Sequence, residues 1–191
     1  RSSDLPENKI ILHLGGAYGD REAAKARFIS RFWDLSPSVQ SRLAIENDDR
    51  IFTIRDVLEV SLRTGIPALF DTLHNAVNPA DPGRTDLEWI REALGTWKGR
   101  DGRQKIHYAQ QDSGKRPGAH SATIRVEPFL RYQEALGDVD IMLEVKDKNL
   151  SAIKCINCSA NRGIAALEAE WGRCRYAVLE RDAAIWPSAG F

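Results

Sequence analysis

The chain has 191 residues, 42% of them hydrophobic and 28% charged, and its 27 basic and 27 acidic side chains balance. That is enough for one domain with a sizeable core, and no apolar stretch approaches the length of a membrane span. Neutral balance argues against a diffuse electrostatic nucleic-acid binder, although not against a nuclease whose bound cations face the phosphates.

The chain opens on Arg1-Ser2-Ser3-Asp4, with no apolar secretory core and no initiating Met, and it reads as a piece of a longer chain. Leu5–Lys9 is a polar lead-in, and Ile10–Leu14 reads as a first strand followed by a glycine-rich loop. Arg21–Trp33 has the pattern of an amphipathic helix, with Ala24, Phe28 and Phe32 on one face. Ser36 and Pro37 restart a short helix as N-cap and first helical residue. It leads to a strand at Leu43–Glu46. Thr53–Arg63 is the next helix, closed by Gly65-Ile66-Pro67. Ala68–Asp71 is a third strand, Asn75–Arg84 a loop, and Asp86–Trp97 a helix carrying Leu87, Ile90, Leu94 and Trp97 at helical spacing.

Lys105–Tyr108 is a fourth strand, Ala109–Ala122 a long polar loop, and Val126–Leu136 a helix broken by Pro128. Asp140–Val145 is a fifth strand. Asp147–Asn157 and Ile164–Glu180 read as helical, and Trp186–Phe191 as an irregular tail. Cys155, Cys158 and Cys174 are an odd count without a secretory signal, which points to reduced thiols in an intracellular compartment. Cys155 and Cys158 lack a second cysteine pair or a nearby His. Neighbours on one helical face explain them better than a zinc site does.

Each of the five apolar runs ends on, or runs directly into, a residue able to bind a metal: His13, Glu46, Asp71, His107 and Glu144. The intervals of 33, 25, 36 and 37 residues each fit one strand–helix–strand step. Parallel strands buried on both faces read as continuous apolar runs, and in a (β/α) barrel the residue at each strand's C-terminal end faces the active site. His74 lies three residues after Asp71, a spacing that can aim both side chains at one ion, and His120 lies across the polar loop from His107. One such histidine is more often a core or loop residue, but all four fall at or next to strand ends. Glu46 and Glu144 follow apolar residues, and a buried carboxylate needs a cation or a hydrogen-bond partner. Asp48 and Asp49 read more simply as loop and capping acids. Carboxylate plus imidazole without thiolate suits Mn, Fe, Zn or Co, and this many candidates suggest a polynuclear site.

His-Leu-Gly-Gly-x-Tyr-Gly-Asp at 13–20, Leu-Ala-Ile-Glu-Asn-Asp-Asp at 43–49, Lys-x-His-Tyr at 105–108, His-Ser at 120–121 and Met-Leu-Glu-Val-Lys-Asp-Lys at 142–148 together resemble the UV damage endonuclease family. The resemblance runs from about Lys9 to Glu180, and the segment around Glu170-Trp171 and Tyr176–Glu180 looks most like its fungal branch. It implies a (β/α)8 TIM barrel of the endonuclease IV and xylose isomerase-like kind. Here that barrel would be partial, five of eight βα units forming one catalytic domain over 1–191. It implies an ATP-independent nick 5′ of UV photoproducts (cyclobutane dimers and 6-4 photoproducts) in double-stranded DNA. It also implies a three-metal site, usually manganese, held here by His13, Glu46, Asp71, His74, His107, His120 and Glu144, with Lys105 carboxylated beside His107.

Two departures stand out. A family histidine between the equivalents of Asp71 and His74 is replaced here by Thr72 or Leu73. The first three units, which in the family carry two further histidine ligands and the lesion-probing loops, are absent from this sequence. Lys115, Arg116 and Lys146 are candidate phosphate contacts, weighed against ordinary solvated loop residues. The resemblance implies DNA as partner, no membrane, and an intracellular location, nuclear or mitochondrial in a fungus. Rival readings are a metal-dependent sugar isomerase on the same scaffold and a truncated, inactive domain.

Overall fold

The structure, a computed structural model, describes residues 5–165. Five strands alternate with helices: β1 (Ile10–His13), α1 (Arg21–Trp33), α2 (Pro37–Gln40), β2 (Leu43–Glu46), α3 (Ile54–Thr64), β3 (Ala68–Asp71), α4 (Thr72–Val77), α5 (Asp86–Leu94), β4 (Lys105–Tyr108), α6 (Val126–Ala135), β5 (Asp140–Leu143) and α7 (Asn149–Ala165). All neighbouring strands are parallel, and their order in the sheet is their order in the chain. Crossovers between parallel strands are right-handed, so a sequential order without reversal puts every helix on the same face. A doubly wound sheet would show a switch point; a (β/α) barrel does not. The architecture is therefore part of a TIM-type barrel. No helix among the described residues is long and apolar enough to cross a membrane.

The core explains why the runs are apolar. Every residue of β2 and β3 is buried. Ile45, Phe70 and Ile106 from the sheet join Val57, Val60, Trp89 and Ile90 from the helices in one cluster. A second cluster under α6 and α7 holds Tyr108, Phe129, Leu130, Cys155 and Cys158. The C-x-x-C pair is thus core packing, and burial pushes the Cys155 thiol up to about 11. At the strand starts, Lys9 Nζ donates to Asp101 Oδ1 at 2.6 Å and to the Ser41 carbonyl at 2.7 Å, a buried contact that ties the lead-in to the base of the sheet.

Several boundaries differ from the sequence reading. Asn75 lies in α4 rather than in a loop, because Asp71 caps that helix by accepting from the His74 N–H at 2.6 Å. Gly95 ends α5 early, which frees the Trp97 indole to donate to the Ala68 carbonyl at 2.8 Å. Pro128 does not break α6. It sits in the first turn, where its missing N–H would have no helical acceptor anyway. One continuous α7 replaces the helix expected to end at Asn157. β1 and β5 stop at His13 and Leu143, one and two residues short of expectation. The segment read as Ile164–Glu180, Cys174, the fungal-type residues and the tail fall largely or wholly outside the described residues.

Among the described residues β1 and β5 each have one unpaired edge. Ile10 is 44% exposed and Met142 50%, and Leu150, Ile153 and Ile156 on α7 are also exposed.

Candidate metal centre

Strand register assembles the centre. His13 is the register partner of Glu46 across β1 and β2, and Asp71 is the partner of His107 across β3 and β4. Glu144 directly follows β5, and its N–H donates to the Tyr108 carbonyl at 2.9 Å, which carries the β4–β5 pairing one step further. The first turn of α4 brings in His74. His120 arrives from the long polar loop, which folds back on itself through an antiparallel bridge between Gln111 and His120. All seven side chains expected at one mouth are brought together there.

Glu46 is the hub. Its Oε1 lies 2.9 Å from His107 Nδ1 and 3.6 Å from His74 Nδ1, and its Oε2 lies 3.4 Å from His13 Nε2. His107 Nδ1 is also 3.0 Å from Glu144 Oε1, and Glu144 Oε2 is 3.5 Å from His120 Nε2. The His74 ring centroid lies 5.5 Å from that of His13 and 6.4 Å from that of His120. Glu46, Asp71, His74 and His107 are buried, His120 and Glu144 partly so, and His13 is exposed.

Packing so many ionisable groups together perturbs them. Burial pushes the Glu46 carboxyl up, but hydrogen bonds and charge from His107 and His13 outweigh it and hold it at about 2. Burial disfavours the His107 imidazolium, yet Glu144 and Glu46 overcome that and raise it to about 10. Glu144 is held down, first by its hydrogen bond to His107. His13 is raised by its hydrogen bond to Glu46. Burial, with the nearby Glu46 charge, pushes Asp71 up to about 7. Without a metal, a protonated His107 therefore serves as the cation between two carboxylates.

The donors form two groups that share one residue. His13, Glu46 and His74 each offer a ligand atom within 4.8 Å of the others, and so do Glu46, Asp71, His107 and Glu144. The Asp-x-x-His spacing brings Asp71 Oδ1 to 3.6 Å from His74 Nδ1, although these two groups place Asp71 with His107 and His74 with His13. Asp71 Oδ2 and His107 Nε2 are buried with no hydrogen-bond partner. A buried polar atom left so costs about 1–3 kcal/mol. Both are good metal-ligand atoms, and the oxygen and nitrogen donor set suits a divalent ion such as Mn2+. The residues present fit a metal.

The remaining candidates lie elsewhere. Lys105 shares a strand face with His107, but its Nζ lies 3.4 Å from Asp140 Oδ2 and from the Arg103 carbonyl, toward the strand starts. Lys115 and Lys146 are exposed and face Asp112 Oδ2 at 3.6 and 3.0 Å. Arg116 is exposed and 3.3 Å from Asp49 Oδ2. Gly118 lets this loop lie against Asp49: with φ of +80° and a would-be Cβ 2.9 Å from Asp49 Oδ2, no other residue fits there unstrained. Asp48 is buried but acts as a capping acid, accepting from the N–H groups of Arg50, Ile51 and Phe52.

Asn47 was missed by the sequence reading, which saw only an acidic strand end. It is fully buried and bonded to Asp71 and His74. The available signal was a carboxamide immediately after a fully buried strand.

The sequence model of the UV-endonuclease UvdE family matches residues 2–169. The UV DNA damage endonuclease of Clostridium perfringens (strain 13 / Type A) is 48% identical over 154 residues, covering 79% of this chain and 37% of the relative. That of Bacillus velezensis is 30% identical over 163 residues, covering 83% of this chain and 51% of the relative. The crystal structure of SacUVDE superposes with a TM-score of 0.76 at 39% identity, over 81% of this chain and 52% of that one. The chain thus spans about half the length, or less, of these relatives. Both curated relatives are bacterial and lend no support to a fungal branch. A family match over most of the sequence and a shared parallel α/β fold agree with the strand-end motifs: this chain belongs to the UV-endonuclease UvdE family.

Proposed function

We propose that the chain forms the metal-bearing part of a DNA-repair endonuclease that nicks the phosphodiester 5′ of UV photoproducts in double-stranded DNA, with residues 1–191 as a single partial-barrel unit. Two ligand groups sharing Glu46, with unpartnered Asp71 Oδ2 and His107 Nε2 among their atoms, carry this reading. His13, Glu46 and His74 would hold one divalent ion, and Glu46, Asp71, His107 and Glu144 a second. His120, beside Glu144, would serve a third position, which rests on the family resemblance, as does manganese. Bound ions would supply charge neutralisation at the phosphate and an acidified water.

The chain's own residues prepare that chemistry. Glu46 Oε1 lies between His107 and His74, one from each group, and Oε2 faces His13, so the one carboxylate can serve both groups at once. His74 Nδ1 is hydrogen-bonded to the Asn47 carbonyl at 2.9 Å, which assigns the proton to Nδ1 and leaves Nε2 free to ligate. His107 must give up its proton before ligating, and Asp71, raised by burial, does so with it. Lys115, Arg116 and Lys146 ring the loop that carries His120 and would exchange Asp112 and Asp49 for DNA phosphates. Lys105 could act as a carboxylated ligand only by swinging from Asp140 toward His107, and mass spectrometry of the intact protein would show the added CO2.

The deciding experiment incubates the complete protein and Mn2+ with UV-irradiated and untreated plasmid. Nicking of the irradiated plasmid alone, abolished by chelator, is the expected result. No nicking, with turnover of a ketose or aldose, would instead establish the sugar-isomerase reading.

A further inference from the structure

The peptide and side chain of Asn47 join the two ligand groups. β2 ends at Glu46, and its ladder with β3 pairs only Ile45 with Ala68 and Glu46 with Leu69. Beyond that point the β2-facing edge of Asp71 has no strand opposite it. In an extended strand, the N–H and C=O of one residue point to the same side. The Asn47 carboxamide meets both: Asp71 N–H donates to Asn47 Oδ1 at 2.9 Å, and Asn47 Nδ2 donates to the Asp71 carbonyl at 3.1 Å. The side chain thus replaces one residue of missing strand. At the same time the Asn47 carbonyl accepts from His74 Nδ1. Asp71 belongs to one ligand group and His74 to the other. Asn47 has no exposed surface, so water cannot take over these bonds.

We infer that Asn47 is a positioning residue of the metal centre: its carboxamide fixes the backbone of Asp71, and its carbonyl fixes the tautomer and direction of His74. The inference rests on the metal reading proposed above. No other side chain fits as well. Asp cannot donate to the Asp71 carbonyl, Ser is too short to span both groups, and Leu fills the space but makes neither bond. Because the carbonyl survives every substitution, side-chain loss should loosen Asp71 directly and His74 only through backbone drift.

The test compares Asn47→Ala, Asn47→Leu and, as a structural control, Gln104→Ala in the complete protein. Gln104 is also a buried carboxamide, donating to the Ile90 carbonyl at 2.8 Å, but at the start of β4. Mn2+ binding is followed by electron paramagnetic resonance, and hydrogen exchange at the Asp71 amide is measured without metal. Groups that support metal ligands typically affect metal affinity about 10–100-fold. Both Asn47 variants should therefore weaken Mn2+ binding by about that factor and speed Asp71 exchange. Gln104→Ala should lower the melting temperature while leaving Mn2+ affinity unchanged. Parent-like Mn2+ affinity in Asn47→Leu overturns the proposal. Equal loss in Gln104→Ala also overturns it, because the effect would then be general destabilisation. Should both Asn47 variants fail to fold, slow Asp71 exchange in the unaltered protein upholds the backbone pairing, and exchange at the rate of an open loop overturns it. If the parent binds no Mn2+, the metal reading itself fails and this inference with it, an outcome separate from parent binding with unaffected variants.

Discussion

Replacing Glu46 with Gln probes the centre at the one residue common to both ligand groups. Gln preserves size and can still hydrogen-bond His107, so the change removes charge and little else. In the metal-free protein His107 is raised to about 10 from an ordinary 6.5. At 1.36 kcal/mol per tenfold change in proton affinity, that corresponds to roughly 5 kcal/mol, shared between Glu144 and Glu46. Losing the Glu46 share should cost about 2 kcal/mol at pH 6, since His107 can respond by shedding its proton. For a chain of this size that is a fall of about 4–8 °C in melting temperature in chelator. With metal the difference grows. Mn2+ at a hundredfold excess over its dissociation constant stabilises the parent by about 2.7 kcal/mol. A neutral amide is a poor ligand for a hard ion, so Glu46→Gln should lose most of that increment and its nicking of irradiated DNA. Paired melts in chelator and Mn2+, with a plasmid nicking assay, measure both. A variant that keeps the parent's Mn2+ increment and nicking rate would refute Glu46 as a shared ligand.

Replacing Lys115 and Arg116 together with Ala should weaken DNA binding and flatten its salt dependence, by about 0.9 in log–log slope for each phosphate no longer neutralised. An unchanged slope would leave both as loop residues paired with Asp112 and Asp49. In chelator, stability should be greatest between pH 4.5 and 6.5, the ordinary values of the two groups. Glu46's contribution is lost as pH falls toward about 2, and that of His107 as pH rises toward about 10. Mn2+ affinity should instead climb with pH as His107 gives up its proton, and titrations at pH 6 and pH 8 with equal affinity would contradict this. Residues 1–191 expressed alone should self-associate through the edges of β1 and β5, bind Mn2+ weakly and fail to nick DNA, because unpaired edges and exposed Ile10 and Met142 invite pairing. A monomeric, cooperatively melting, active 191-residue chain would disprove that.

The sequence alone determined the strand ladder and most of what stands at its mouth. Parallel strands buried on both faces must be apolar throughout, so the runs ending near His13, Glu46, Asp71, His107 and Glu144 announced both the βα period and the side chains at the strand ends. Local rules also located α1 and α3: an apolar face at helical spacing marked the first, and the glycine at position 65, which acts within one turn of chain, closed the second. They failed at Asn75, where Asp71 caps a short helix that turn-forming composition concealed. Tertiary structure decided what depends on distances across strands. It made Glu46 common to two groups, folded His120 back through its bridge to Gln111, turned Lys105 toward Asp140 and gave Asn47 the place of a missing strand. Each of these joins residues distant in the chain, up to the 98 positions between Glu46 and Glu144, or turns on the direction a side chain takes once its neighbours are in place. Periodicity encodes which face of a strand a residue occupies; only the packed sheet fixes which atoms meet across it.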